Sequence, residues 1–374
     1  MPRPRLRLTA MLLSAAALGA PLALTAPASA SAAVAPLDRG WINDSTTWLV
    51  HVDVERLLTT EIGRWLAREI EESDAEMEAN AGEGVELNLK IGNERRREKE
   101  RKVVIERHIG DAGGDEGANR GAAGLEALMP QSLRDLRERY HFDPLTDILS
   151  ITLFGSDDDD RPENLLVHTT AAIDAAVKEL QKVEGVEISH LNGVTVGQLD
   201  ADDESGAPKF IAVQPEADGS RIMFFADSLD ELAATVASKG KLRAPDWIAP
   251  APDSFIYIHA SKGSPFLEDA VNSQMLRDAE SVEINIGQRA GNLFMSGVLQ
   301  TGSNEVATNM AQVANGLLAL ARLGAMQSDE LDEETRAMLD IVKGLSIKTD
   351  ASDVRLDLSM DAGTIVKFLE SESD

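Results

Sequence analysis

Three segments of the sequence share one pattern: an apolar, β-prone strand with a histidine near its end, then small or polar residues, then a helical pattern. They begin at Trp48 (WLVHVDVERLL), Asn164 (NLLVHTTAAID) and Phe255 (FIYIHASKGSP). Hairpin patterns follow the second and third segments. Repeated strand–helix–hairpin units are typical of antiparallel sheets with helices packed on one face. The sequence therefore predicts an α+β fold.

Turn residues between paired apolar stretches indicate the hairpins. Asn192-Gly193 separates Val186–Leu191 from Val194–Leu199, and this dipeptide accepts the positive φ angles of a type I′ turn. Further hairpins are predicted for 210–214 with 222–226, 282–286 with 293–299, and 345–348 with 354–360.

A long helix is predicted between the last two hairpins. Val306, Met310, Val313, Leu317 and Leu320 fall on one of its faces, as in an amphipathic helix.

The N-terminus has the pattern of a cleavable signal peptide over residues 1–30. Arg3, Arg5 and Arg7 precede an apolar stretch, and Ala28-Ser29-Ala30 supplies the small side chains of a cleavage site. The alternative, an uncleaved membrane anchor, needs about 20 continuous apolar residues, and Pro21 interrupts the stretch. We expect a periplasmic or secreted product, and no later segment is apolar enough to span a membrane.

Composition shifts divide the remaining chain into three parts. Residues 31–130 hold a strand and helix, followed by a charged insertion that is either a long hairpin or loosely ordered, and a Gly-rich linker. Residues 131–245 and 246–374 form two α+β units, with a proline-rich boundary at 244–252.

Charge and cysteine content exclude several classes of function. The formal net charge is −28, and such an excess of carboxylates repels phosphate backbones and anionic lipid surfaces. Nucleic acid is therefore not an expected partner. There are no cysteines, which excludes disulfides, thiol catalysis and zinc–thiolate sites.

The three similarly placed histidines, His51, His168 and His259, suggest a zinc site, because neutral imidazoles bind zinc well. The alternative is that each histidine, at a strand-to-helix junction, hydrogen-bonds nearby backbone. The metal site requires that strands from three different units converge.

An acidic turn suggests a calcium site. Asp200, Asp202 and Glu204 resemble the start of a calcium-binding loop, but the sixth position lacks glycine and Ile211 replaces the glutamate of the twelfth position. A solvated acidic turn is the alternative, and the same holds for Asp157–Asp160. No other cofactor is expected.

The stretch 141–155 (HFDPLTDILSITLFG) places a Phe-Asp-Pro turn before a Ser-x-Thr strand. Together with LLVHTTAAIDAAVKEL and the hairpins up to SLDELAATV, it resembles uncharacterised exported bacterial proteins over residues 48–70 and 130–374. The resemblance implies export and an α+β fold, and it carries over no functional residues.

These observations favour a non-enzymatic binding or interaction module of the periplasm or cell surface, whose partner is an envelope protein or a small ligand. Searches for metalloprotease, serine hydrolase, phosphate-binding and dinucleotide-binding motifs find none that fits. Two alternatives stay open: a metal-assisted hydrolase that uses the strand-end histidines, and a carrier of an apolar ligand.

Overall fold

Twelve antiparallel strands form one continuous sheet in the computed structural model. The structure describes residues 37–80, 133–156, 164–182, 186–191, 193–199, 210–226, 228–241, 244–264, 267, 278–326 and 343–373. The strands are β1 Trp48–Asp53, β2 Ile148–Gly155, β3 Asn164–Thr169, β4 Val186–Leu191, β5 Val194–Leu199, β6 Phe210–Pro215, β7 Arg221–Ala226, β8 Ser254–Ser261, β9 Ala279–Arg289, β10 Asn292–Thr301, β11 Leu345–Asp350 and β12 Asp353–Asp361. Their order in the sheet is β11-β12-β10-β9-β8-β1-β2-β3-β7-β6-β5-β4.

Strand β1 joins the two halves of the sheet. It pairs with β2 on one side and with β8 on the other, so His51 lies between Thr152 and Tyr257. Strands β2–β7 occupy one half and β8–β12 the other. The two predicted α+β units therefore contribute to a single sheet.

The predicted hairpins form as expected. Strands β4 and β5 pair across a turn in which Gly193 has a φ of +86°. The other three pairs are β6 with β7, β9 with β10, and β11 with β12.

Eight α-helices lie within the described residues and complete the α+β architecture that the sequence predicts. They are α1 Val54–Thr59, α2 Glu61–Asn80, α3 Leu133–Tyr140, α4 Pro144–Asp147, α5 Ile173–Leu180, α6 Leu229–Ser238, α7 Asn304–Met326 and α8 Ala362–Ser373. None of the helices in this part of the chain is long and apolar enough to cross a membrane.

The largest hydrophobic cluster lies on the first face of the sheet, which carries Leu49 of β1 and Tyr257 of β8. Helix α6 adds Leu232, and the segment before β1 adds Trp41, whose ring meets Phe224 edge-on at 4.2 Å. These side chains are almost fully buried, so this face holds the main core.

The second face, which carries Trp48 and Val50 of β1, is covered in separate patches. Helices α3 and α5 pack Tyr140 and Ile173 near Val213. Helix α7 packs against β10, β11 and β12, and Trp48 packs with Ala260 and Leu267. Between these patches the strands carry aliphatic side chains that are only partly buried.

Several sequence predictions lie outside the described residues. These are the signal peptide at 1–30, the charged insertion and linker after residue 80, and both acidic turns, including Asp200, Asp202 and Glu204.

Candidate functional site

The three strand-end histidines lie on the first face of the sheet. Cross-strand partners in an antiparallel sheet share a face, and His51 opposes Tyr257 while His259 opposes Leu49. His168 opposes Ile222. The histidines therefore follow a diagonal across β3, β2, β1 and β8.

Each imidazole contacts a hydroxyl group. The distances are 2.9 Å from His51 Nδ1 to Thr152 Oγ1, 2.6 Å from His168 Nε2 to Ser220 Oγ and 3.1 Å from His259 Nε2 to Ser261 Oγ. The partners are side-chain hydroxyls rather than the backbone groups that the alternative named.

Two of the histidines are uncharged at neutral pH. Burial, with a smaller contribution from the charge of His168, lowers the pKa of His51 to about 4. Burial also lowers the pKa of His259 to about 4. The His259 ring stacks on Trp247 with 3.7 Å between the ring centroids. Desolvation disfavours the protonated ring in both cases.

The zinc hypothesis gains no support from this arrangement. Within the described ranges, no group of three or more His, Asp or Glu side chains is placed to hold a metal ion. The Nδ1 atom of His259 is buried there without a hydrogen-bond partner, but no second and third ligand accompany it.

His168 and Ser220 have the spacing of a base and a nucleophile, but their hydrogen bonds run the other way. The Ser220 hydroxyl donates to Asp218 Oδ1 at 2.5 Å. His168 Nε2 must then donate to Ser220 Oγ, so the imidazole does not accept the serine proton as a general base would. The three groups stabilise the β6–β7 turn.

The second face presents a surface that sequence reasoning missed. Two rows of aliphatic side chains cross the sheet from β2 to β11, each position opposite the next in register. We call them the aliphatic face. All its members are partly exposed: Leu153, Val50, Ile258, Ile284, Gly297, Leu356 and Ile347 in one row, and Ile151, Val52, Ile256, Ile286, Met295, Leu358 and Leu345 in the other.

Gly297 leaves a gap in the middle of this surface. A methyl group built at its Cα would meet only the Leu356 Cβ at 3.7 Å and the Glu283 carbonyl oxygen at 3.8 Å. Both atoms belong to the neighbouring strands of the sheet. A Cβ at position 297 would therefore make only ordinary van der Waals contacts.

Helix α7 borders the aliphatic face and turns leucines outward. Ala307, Met310, Ala311 and Leu318 are buried on its sheet-facing side. Its exposed side carries the leucine stripe, which consists of Val313 (52% exposed), Leu317 (59%), Leu320 (66%) and Leu323 (55%).

The sequence prediction for this helix is therefore wrong in part. It placed Val313, Leu317 and Leu320 with Met310 on one face, and such a face ordinarily packs on the core. The structure turns Ala307 and Ala311 to the sheet instead, because small side chains let a helix approach the strands closely. Of the predicted set, Met310 lies in that contact and Val306 packs against it.

Two polar side chains of α7 reach the edge of the sheet. Asn315 Nδ2 donates to the Ile347 carbonyl at 3.4 Å, and Arg322 Nη2 donates to the Leu345 carbonyl at 3.2 Å. Both acceptors belong to β11, the edge strand. Leu317 comes two residues after Asn315, and Leu320 comes two residues before Arg322. Because two residues along a helix correspond to a rotation of about 200°, both leucines point away from this edge. They lie on the exposed side of the helix.

The part of α7 that carries Val313, Leu317 and Leu320 has no charged residues. Residues 306–321 contain neither acidic nor basic side chains, although 27% of the residues in the chain are charged.

No protein-family model matches the chain, and no curated protein matches it. Among solved structures, crystal form I of TP0453 is 8% identical, covers 90% of this chain and 98% of its own, and has a TM-score of 0.39. Crystal form IV is 7% identical, covers 89% and 96%, and has a TM-score of 0.40. These values are too low to support an argument about function.

Proposed function

We propose that the chain is a non-enzymatic binding module that works in the periplasm or at the cell surface and binds an apolar partner. The observation that carries the proposal is the leucine stripe of α7, whose four side chains are each more than half exposed. Exposed apolar patches of this kind mark interaction sites on proteins.

Export is the second part of the proposal and depends on the signal peptide pattern. Cleavage after Ala30 gives a mature chain that begins at Ser31. N-terminal sequencing of protein recovered from outside the cytoplasm tests this directly. An intact Met1 on that protein would contradict it.

Binding of a neutral apolar dye tests the proposed surface. Nile red should bind the purified chain with a blue-shifted emission, and Leu317→Glu or Leu320→Glu should weaken its affinity at least fivefold. A carboxylate placed among apolar contacts must be desolvated or must exclude the dye.

Leu229→Glu is the matched control. Leu229 is 46% exposed on α6, and α6 packs against the first face of the sheet. The control adds the same charge at an exposed leucine and should bind Nile red like the wild type. If all three variants bind Nile red as tightly as the wild type, the proposed binding surface is contradicted.

A carrier of an apolar ligand is the second candidate. The aliphatic face favours it, because partly exposed aliphatic side chains can contact such a ligand. A recess between β3, β7 and α6 does not favour it. Its volume of about 240 Å³ includes open solvent, and ligand pockets usually measure about 300–1,000 Å³.

A further inference from the structure

We infer that the partner of the leucine stripe is a second copy of this chain, whose α7 packs antiparallel on the α7 of the first. The inference rests on the proposed function and names the partner of the same surface. Three features of the helix support it: the spacing of its outermost residues, the match of large against small side chains, and the absence of charge.

The outermost positions of α7 form a seam of the kind that joins two helices. Leu318 packs on the sheet, and a helix turns by about 100° per residue. Between residues 313 and 323, four exposed positions therefore lie within about 40° of the direction opposite to Leu318: Val313, Gly316, Leu320 and Leu323. They follow one another at steps of three, four and three residues, which is the spacing of the apolar seam between paired helices.

This seam is complementary to itself when one of the two helices is reversed. Reversal about position 318 places Leu320 of each copy opposite Gly316 of the other, because both lie two residues from that position. It also places Val313 opposite Leu323, since both lie five residues from it. Among the described residues, no atom outside the helix's own backbone lies within 4 Å of a Cβ built at Gly316, so the exposed glycine leaves room for the leucine of the other copy. A surface that fits itself in this way makes an isologous interface, which closes at a dimer.

The charge of the chain favours this helix as the place where two copies meet. Each copy carries a formal net charge of −28, so contact between most surfaces brings like charges together. Residues 306–321 contain no charged side chain, and contact between them brings none together. Salt screens the repulsion between the more distant charges, so the dimer should become tighter as the salt concentration rises.

The contact area sets the strength of the dimer. The four side chains of the stripe are 52–66% exposed, and Gly316 and Ala319 are exposed among them. Together they offer roughly 500 Å² per copy, so the dimer buries about 1,000 Å², less than the roughly 1,200–2,000 Å² of stable interfaces. Contacts of this size hold reversible complexes. We expect a monomer at about 1 µM and mainly dimer at about 500 µM.

Sedimentation velocity over this concentration range tests for the dimer. The dissociation constant should fall as NaCl is raised from about 0.1 to about 1 M. Leu320→Glu should keep the chain monomeric, because its carboxylate would be desolvated against the other helix. Leu229→Glu adds the same charge on α6 and should dimerise like the wild type. A wild-type chain that stays monomeric throughout, or a Leu320→Glu variant that dimerises equally well, would overturn the inference.

Cysteine cross-linking tests the antiparallel arrangement, because the chain has no cysteine of its own. Positions 313 and 323 lie opposite each other across the two copies, so an oxidised mixture of Val313→Cys and Leu323→Cys should yield disulfide-linked dimer. Neither variant should yield it alone, since its two thiols would lie about 15 Å apart along the helix axis, too far for a disulfide. Cross-linked dimer from either variant alone, or none from the mixture, would overturn the inference.

Nile red titration separates this inference from the proposed function. The dye is added to about 1 µM chain, where the second copy does not cover the stripe. If Nile red does not bind, or binds Leu320→Glu as well as wild type, the proposed function fails. If Nile red binds through the stripe but the chain stays monomeric at every concentration, only the dimer inference fails.

Discussion

The orientation of α7 predicts very different costs for two leucines that are two residues apart in the same helix. Leu318 is 9% exposed and Leu320 is 66% exposed. Truncation to alanine removes three carbons from each, worth about 2.4 kcal/mol if fully buried. Scaled by the buried fraction, Leu318→Ala should cost about 2.2 kcal/mol and Leu320→Ala about 0.8 kcal/mol, before any cavity is counted.

Leu318→Ala also leaves a cavity against the sheet, which adds to its cost, whereas Leu320→Ala leaves none. The change in helix propensity is the same for both variants and cancels in the comparison. The expected difference in the free energy of unfolding is therefore at least about 1.4 kcal/mol.

Urea unfolding followed by far-UV circular dichroism measures this difference. If the dependence of the unfolding free energy on urea is the same in both variants, each change in stability follows from the shift of the urea midpoint relative to wild type. Equal shifts, or a larger shift for Leu320→Ala, would refute the orientation of α7 and the leucine stripe with it. The result does not depend on what the stripe binds, so it tests the structural premise of both proposals.

Three further predictions concern other parts of the sheet. Replacement of both Asn315 and Arg322 by alanine should uncover the carbonyls of the β11 edge. Because free sheet edges pair with other chains, the double variant should self-associate with rising concentration in sedimentation velocity. A monomer at every concentration would contradict this. The pKa of His259 is about 4 in the folded chain, against a usual value of 6.5. Between these two pH values the folded chain binds fewer protons than the unfolded chain, so its stability decreases as the pH falls through this range. His259→Phe should reduce this loss in urea titrations at pH 7, 5.5 and 4, and an unchanged pH dependence would count against the buried neutral imidazole. Gly155→Ala should cost about 1–3 kcal/mol, because its Cβ would lie 2.7 Å from the buried ring of Trp48; a wild-type melting curve would show that this contact is absent.

Local patterns predicted much of the sheet because its hairpins are encoded by neighbouring residues. The Asn192-Gly193 turn fixes which residues of β4 and β5 pair, and alternation fixes which of them share a face. The position of β1 between β2 and β8 was beyond such reasoning. Pairings of Val50 with Leu153 and with Ile258 join residues about 100 and 200 positions apart, and no local signal specifies them.

The candidate site was hidden for a related reason. Helix α7 has apolar residues around most of its circumference, so periodicity alone could not decide whether Ala311 or Leu317 faces the sheet. In the observed rotation Ala307, Met310 and Ala311 pack on the sheet, and Asn315 and Arg322 reach the edge strand. The absence of charge from 306 to 321 was the signal in the sequence that could have indicated a binding surface.

The same helix protects one surface and exposes another, and this combination favours a function for the stripe. Asn315 and Arg322 occupy carbonyls that could otherwise template aggregation, so the surroundings of α7 are arranged against unwanted association. Four exposed aliphatic side chains on the opposite side of that helix are an aggregation liability of their own. Replacement of Leu317 or Leu320 by a polar residue would remove this liability at little cost in stability. A chain with 27% charged residues that keeps these positions apolar is best explained by a partner that covers them.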